Sequence, residues 1–263
     1  MKSAQGQQRD YLEGLLGESG DVDDARDALG VGSAISFRNR LINATFAINQ
    51  RGVAGTVTLS AGAYGHDRWK AGSGGCTYTF ATSAGVTTLT ITSGTLVQVV
   101  EAGNIAAGDY TLSWQGTAQA RVNNTGAYAN SPITDALSGG VSAYVEFNSG
   151  TLVLPQLEFG GAVTPSERRH LGLELALCQR YYERVTTYGI TAGGVAGTSL
   201  ALGCQYKVSK RTTPSINGSV TYTNASGMAL SSIGIDSFVM GAVVTGTGVA
   251  ALVYSNVTID AEL

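Results

Sequence analysis

Charged side chains are scarce in this chain. They make up 13% of its 263 residues, about half the share that ordinary soluble domains carry. The polar surface must therefore consist mainly of Ser, Thr, Asn, Gln and Gly, which favours a secreted or particle-borne protein over a typical cytosolic enzyme. The formal net charge is only −3, which argues against a large binding surface for nucleic acid or anionic lipid.

Cysteine and histidine are also few. Cys76, Cys178 and Cys204 are odd in number and far apart, so they form neither a closed disulfide framework nor a zinc site, and free buried thiols are the simpler interpretation. His66 and His170 lie too far apart for a metal-binding pair on one helix. The acidic residues between positions 33 and 161 are scattered, and no spacing nominates a catalytic pair. We predict no catalytic residue, no metal site and no cofactor.

Long apolar segments are missing as well. No run approaches the roughly 18 residues that are needed to span a bilayer. The N-terminal sequence MKSAQGQQRD lacks the apolar core of a secretory signal. The sequence therefore predicts a protein that folds in a cytoplasm and does not insert into a membrane.

Proline is rare (4 residues) and glycine is abundant (36 residues), so we expect turns built mainly from glycine. Glycine-rich breaks at 72–75, 102–108, 138–140 and 148–150 separate segments in which apolar and polar residues alternate. Such short alternating segments predict the strands of an antiparallel sandwich or barrel. The alternating apolar sets are Val57/Leu59, Tyr78/Phe80, Leu89/Ile91, Tyr110/Leu112/Trp114 and Ala143/Val145/Phe147.

One helix is predicted near 165–183. Residues 164–167 read Thr-Pro-Ser-Glu, which fits a capping box with proline at the first helical position. An apolar stripe follows at Leu171, Leu175, Cys178 and Tyr182, and we expect it to be buried between two domains or between subunits.

The chain divides into four predicted segments. Residues 1–33 are acidic and are predicted to form short helices whose apolar stripe either binds a partner or packs on the body of the chain. Residues 34–163 are predicted to form a jelly-roll β-sandwich, residues 164–183 a connecting helix, and residues 184–263 a small C-terminal β domain.

Aromatic residues supply the candidate binding site. In the segment 66–69, Trp69 could stack on a ligand and Arg68 could clamp it, whereas the alternative is an internal pairing of Asp67 or Trp69 with Arg68 that pins a loop. Tyr64, Tyr128 and Tyr144 are candidates for stacking on sugar faces, since tyrosine is the commonest aromatic here (12, against 6 Phe and 2 Trp). Trp114 lies in an alternating strand and is predicted to be core.

Four ordered motifs between positions 39 and 182 resemble a module of phage and prophage tail-fibre proteins. Residues 39–52 read Asn-Arg-Leu-Ile-Asn-Ala-Thr-Phe-Ala-Ile-Asn-Gln-Arg-Gly, and residues 64–69 read Tyr-x-x-Asp-Arg-Trp. Residues 156–160 read Gln-Leu-Glu-x-Gly, and a Thr-Pro at 164–165 precedes Glu-Leu-x-Leu-Cys-Gln-Arg-Tyr-Tyr at 174–182. Two departures are Asn49, where many relatives have Trp, and Ala44, where many have Gly.

The resemblance implies a jelly roll similar to carbohydrate-binding modules, a small β domain after it, and a homotrimer on a virion assembled in the host cytoplasm. We expect a non-enzymatic fibre or spike subunit that is attached to other virion proteins through residues 1–33 and binds a host surface glycan. Two alternatives stay open. One is a purely structural decoration, such as a head fibre, collar or capsid-surface protein, and the other is a polysaccharide-degrading enzyme.

Overall fold

The computed structural model describes residues 37–263, and the helices and attachment role predicted for residues 1–33 lie outside the described residues. The described chain is mainly antiparallel β-structure, which confirms the predicted fold class. The strands are β1 Val57–Leu59, β2 Lys70–Ser83, β3 Val86–Val100, β4 Gly108–Gln115, β5 Ala120–Val122, β6 Ile133–Leu137, β7 Ala143–Phe147, β8 Gly150–Phe159, β9 Tyr182–Gly194, β10 Ser199–Gln205, β11 Ser215–Thr223, β12 Ala225–Ser231, β13 Ser237–Val244 and β14 Gly248–Asp260.

Strands β1 to β8 form the first unit, called the sandwich below. Their order is β1-β2-β3-β8-β4-β6, and β7 pairs with both β3 and β5. This arrangement is consistent with a jelly-roll-like sandwich. Its core contains Tyr78, Trp114 and Phe147, because alternate residues of each strand point to the same side. Trp69, from the loop just before β2, joins the same core. The prediction that Trp114 belongs to the core is confirmed.

The glycine cluster at 72–75 is not the turn that the sequence predicts. It lies inside β2, where the register with β3 shifts between Ala71 and Cys76. Such an irregularity bends the strand and strengthens its twist. Gly94 of β3 faces the bulge, and a Cβ atom there would lie 2.0 Å from the carbonyl oxygen of Gly75. The glycines are therefore needed for the close approach of the two backbones.

Strands β9 to β14 form the C-terminal unit. They make two three-stranded sheets, with the orders β10-β13-β12 and β11-β14-β9. The two sheets share one apolar core, in which Phe238, Met240, Leu252 and Ile259 are fully buried. This core is separate from that of the sandwich.

The connecting helix, α1, spans Leu171–Gln179 and is shorter than predicted. The proposed capping box is wrong, because the carboxylate of Glu167 accepts hydrogen bonds from the backbone N–H groups of Phe37 and Asn39 instead. His170 caps the helix, and its ring accepts a hydrogen bond from the N–H of Gly172 at 3.3 Å. No helix of residues 37–263 is long and apolar enough to cross a membrane.

The predicted apolar stripe of this helix is also only partly correct. Cys178 is fully buried, but Leu171 is exposed, and Tyr182 belongs to β9 rather than to the helix. Residues just before the helix contact the segment that precedes β1. For example, the guanidinium of Arg169 donates to the carbonyl oxygens of Leu41 and Asn39.

Candidate functional site

Two of the five predicted sugar-contact residues are in the interior. Trp69 is fully buried, and its indole N–H donates to the carbonyl oxygen of Asn43 at 3.0 Å. Arg68 is buried as well, and one of its nitrogens donates to the carbonyl oxygen of Val99 at 2.7 Å. Neither side chain offers a face to solvent, so we correct the prediction for both of them to a structural role.

Arg68 lies where the sandwich meets the C-terminal unit. Its guanidinium carbon is 3.5 Å from the centroid of the Tyr181 ring, and it forms an ion pair with Glu262. The backbone of Arg68 has a positive φ of 72°, a conformation that is uncommon for a residue with a side chain. The strained backbone at Arg68 directs its guanidinium into the interior.

Arg51 makes a second contact of the same kind, with the ring of Tyr182. Its guanidinium carbon lies 3.7 Å from the Tyr182 ring centroid, and one of its nitrogens is 3.3 Å from Glu262. Another nitrogen is 3.9 Å from the carboxylate of Asp67, which also accepts two hydrogen bonds from Gln50. Two arginines of the sandwich are thus stacked on two consecutive tyrosines and share one carboxylate.

Both carboxylates at this contact have raised pKa values. Burial raises the pKa of Glu262, although the charges of Arg68 and Arg51 oppose the rise. Burial likewise raises the pKa of Asp67 against the opposing hydrogen bonds from Gln50. We call the set Arg51, Asp67, Arg68, Tyr181 and Glu262 the inter-unit junction.

Tyr64, the third predicted contact residue, lies beside the inter-unit junction. Its hydroxyl donates to the carbonyl oxygen of Leu263 at 2.5 Å, and the ammonium of Lys70 donates to the same oxygen at 2.7 Å. The ring is 5.0 Å from the guanidinium carbon of Arg51. Burial raises the pKa of the Tyr64 hydroxyl. This tyrosine is therefore largely engaged within the chain.

Three of the four motifs of the fibre-protein resemblance meet beside the inter-unit junction. Asn43, from the first motif, hydrogen-bonds the backbone of Ile48 in both directions and donates to the carbonyl oxygen of Asp67. Glu174, from the last motif, accepts a hydrogen bond from the N–H of Asn43. Gln50 donates to the carbonyl oxygen of Tyr182 at 2.8 Å. These motif residues hold segments together that are distant in the sequence.

The other two predicted residues lie on the outer face of the sandwich. Tyr144 of β7 is 38% exposed, and Tyr128 is half-buried in the loop after β5. Arg121 of β5 pairs in register with Glu146 of β7, and its guanidinium carbon is 4.7 Å from the Tyr128 ring centroid. Because Tyr144 and Glu146 are two residues apart on one strand, they point to the same face. We call Arg121, Tyr128, Tyr144 and Glu146 the tyrosine patch.

The polar groups of the tyrosine patch are held in place. Arg121 donates to the carboxylate of Glu146 at 2.6 Å, and the hydroxyl of Thr95 donates to it at 2.7 Å. Burial acts to raise the pKa of Glu146, but the hydrogen bonds from Thr95, Arg121 and Tyr128 outweigh burial and lower it. Glu146 is therefore a fixed, ionised hydrogen-bond acceptor at neutral pH.

The tyrosine patch can bind a neutral, hydroxyl-rich ligand. Tyrosine rings offer apolar faces for stacking and hydroxyls for hydrogen bonding. The Arg121 guanidinium, whose side chain is 27% exposed, supplies donors beside the rings. Because the buried carboxylate of Glu146 already holds it, Arg121 does not have to be ordered on binding. Sequence reasoning missed Arg121 and Glu146, because their pairing across 25 residues depends on strand register. The alternation of Tyr144 and Glu146 was the one signal that could have nominated Glu146.

Within residues 37–263, no group of three or more His, Cys, Asp and Glu side chains is placed to hold a metal ion. The three cysteines are free and buried, as predicted. Comparison of the chain with protein-family models, with curated proteins and with solved structures finds no match.

Proposed function

We propose that this chain is a non-enzymatic fibre or spike subunit of a bacteriophage particle that binds a host surface polysaccharide. The observation that carries the proposal is the tyrosine patch. It places Tyr128 and Tyr144 on one outer face, beside a preformed Arg121–Glu146 pair. The four motifs that resemble tail-fibre proteins and the mainly β fold support the same function.

The proposed assembly is a homotrimer. A partly exposed aromatic patch without a deep groove binds a sugar weakly, and three linked copies raise the overall affinity through effective concentration. The low share of charged residues (13%) is suited to a surface whose ligand is a neutral polymer rather than an ion.

Binding of the purified chain to a glycan array and to host cells tests the proposal. Tyr144→Ala and Tyr128→Ala should each weaken binding by about tenfold, since one aromatic stacking contact contributes about 1 kcal/mol or more. Phe159→Ala is the matched control. Phe159 is an exposed aromatic of the same sandwich, but it lies on β8 against Tyr110. That variant should bind like the unmodified chain.

Each of the other outcomes favours a different function. Failure of the unmodified chain to bind any glycan or cell would contradict sugar binding and favour a purely structural decoration of the particle. Loss of viscosity of a polysaccharide solution on incubation with the chain would contradict the non-enzymatic proposal and favour a degrading enzyme.

A further inference from the structure

Charge is unevenly distributed in the C-terminal unit. Between positions 183 and 263 there are eight charged residues, and none falls within 185–206, 212–235 or 237–259. Those that make contacts do so at the end nearest the sandwich, as in the buried Lys210–Glu183 pair at 2.6 Å. The far end of the unit and most of its four edge strands are therefore uncharged. The eight residues are Glu183, Arg184, Lys207, Lys210, Arg211, Asp236, Asp260 and Glu262.

One edge of this unit is open. Val220 and Tyr222 of β11 stand opposite Tyr254 and Leu252 of β14, so they belong to the face that builds the core. Tyr254 and Leu252 are buried, yet Val220 is 36% exposed and Tyr222 is 39% exposed. The core-facing side of β11 thus extends past the core, and the other sheet leaves more than a third of both side chains exposed.

Strand β12, at the edge of the other sheet, lies across from β11. The hydroxyl of Tyr222 accepts a hydrogen bond from the N–H of Met228 at 2.8 Å, and Met228 and Leu230 are only half-buried. We call β11 and β12 together the open edge.

Each strand of the open edge also has one side without a strand partner. Among the described residues, β11 pairs only with β14 and β12 pairs only with β13, and the N–H of Met228 on β12 is bonded to Tyr222. Edge strands in proteins are usually blunted by charges, by proline, by bulges or by being very short. β11 is nine residues long and contains neither a charged residue nor a proline, and beyond an irregularity at 217–219 it pairs regularly with β14 from Ser219 to Thr223. An edge of this kind is ready to pair with or pack against another chain.

We infer that a second copy of this chain packs against the open edge through the uncharged surface of its own C-terminal unit. A partner with charged groups at this contact would have to bury them without counter-charges, which is costly. The far surface of another C-terminal unit carries none, so it meets that requirement. The partner would cover Val220 and Tyr222 and pair with the free edge of β11. This inference deepens the proposed function, on which the expected number of three copies rests.

Light scattering of the full-length chain over a dilution series tests the inference. The unmodified chain should be an assembly of several copies. Val220→Lys places an ammonium at the centre of the contact, so it should raise the concentration at which the assembly dissociates by at least about tenfold. Hydrogen exchange of residues 215–223 gives a second, local measurement. These amides should be protected in the assembly and should exchange faster in Val220→Lys.

Val141→Lys is the matched control, because Val141 is an exposed valine of the sandwich, between β6 and β7, and so lies outside the C-terminal unit. It should dissociate like the unmodified chain, and both variants should keep its circular dichroism spectrum. A single-copy mass for the unmodified chain would overturn the inference. So would equal dissociation of the two lysine variants, or unchanged exchange of residues 215–223 in Val220→Lys. None of these measurements involves a glycan. The assembly through the open edge can therefore be contradicted while glycan binding is observed, and glycan binding can be contradicted while the assembly is observed.

Discussion

The guanidinium of Arg68 is stacked on the ring of Tyr181, with 3.5 Å between the guanidinium carbon and the ring centroid. Arg68 comes from a loop of the sandwich, and Tyr181 directly precedes the first strand of the C-terminal unit. Glu262 completes the contact by pairing with the same guanidinium. The buried guanidinium of Arg68 therefore links three segments that are distant in the sequence: its own loop, Tyr181 and Glu262.

Removing the charge of Arg68 should destabilise the protein strongly. Arg68→Met leaves the buried Glu262 with Arg51 as its remaining ion-pair partner among the described residues, and the loss of one partner of a buried pair costs about 3–5 kcal/mol. Urea denaturation should show this as a lower free energy of unfolding. Arg168→Met is the control, because Arg168 is exposed, and we expect a change within about 0.5 kcal/mol. A stability of Arg68→Met equal to that of the unmodified protein would contradict a fastening role.

The Lys210–Glu183 pair should behave as a coupled unit. Both side chains are fully buried, 2.6 Å apart, and Lys210 also donates to the carbonyl oxygen of Gln179. Lys210→Met should cost about 3–5 kcal/mol because Glu183 then remains buried without its cation. Adding Glu183→Gln removes the stranded charge and should recover a large part of that loss in urea denaturation.

The control for this pair is Lys207→Met. The side chain of Lys207 is exposed, and only its backbone N–H contacts Glu183. Its stability should stay close to that of the unmodified protein. If the double variant is no more stable than Lys210→Met alone, the two groups are not coupled.

His66 should make the stability depend on pH. Burial lowers its pKa from 6.5 to about 4, and the ring packs edge-on against Phe80 with 4.5 Å between centroids. The unfolded chain therefore takes up a proton on this ring at higher pH than the folded protein does. The contribution of His66 to stability is complete above about pH 7 and falls as the pH drops towards 4, by about 2 kcal/mol between pH 7 and pH 5.

Denaturation at several pH values checks this prediction. The variant His66→Gln should lose that part of the pH dependence, whereas His170→Gln should keep it, because His170 is exposed. The difference between unmodified protein and variant isolates His66 from the carboxylates of the inter-unit junction, whose raised pKa values act in the opposite direction. An identical pH profile for His66→Gln and the unmodified protein would contradict the assignment.

Alternation in the sequence predicts most of the sandwich. The apolar sets at Val57/Leu59, Leu89/Ile91 and Ala143/Val145/Phe147 all fall in strands and all contribute to the core. These predictions succeed for a simple physical reason. In a strand that is buried on one face, apolar side chains must recur at every second residue.

Features that depend on long-range contacts could not be predicted. Residues 164–167 have the composition of a helix cap, but the carboxylate of Glu167 is used by the backbone of residues 37 and 39. Arg68 and Trp69 looked like ligand groups, because a chemically rich loop does not reveal whether its side chains point outward or inward. Only tertiary packing decides that, and here it directs both of them into the interior.

The close approach of β2 and β3 at Gly94 gives a final prediction, about glycine substitutions. Gly94 has a φ of +69°, and a Cβ atom there would lie 2.0 Å from the carbonyl oxygen of Gly75. Gly85, in the turn of the same hairpin, has a similar φ of +72° but has nothing within 4 Å of a Cβ position. Gly85→Ala should therefore cost only the backbone penalty of about 1 kcal/mol. Gly94→Ala adds a backbone clash that must push the two strands apart, so it should cost clearly more, about 3 kcal/mol or above. Thermal unfolding of the two variants separates strain from clash, and equal losses of stability would show that the bulge at 72–75 does not require the close approach.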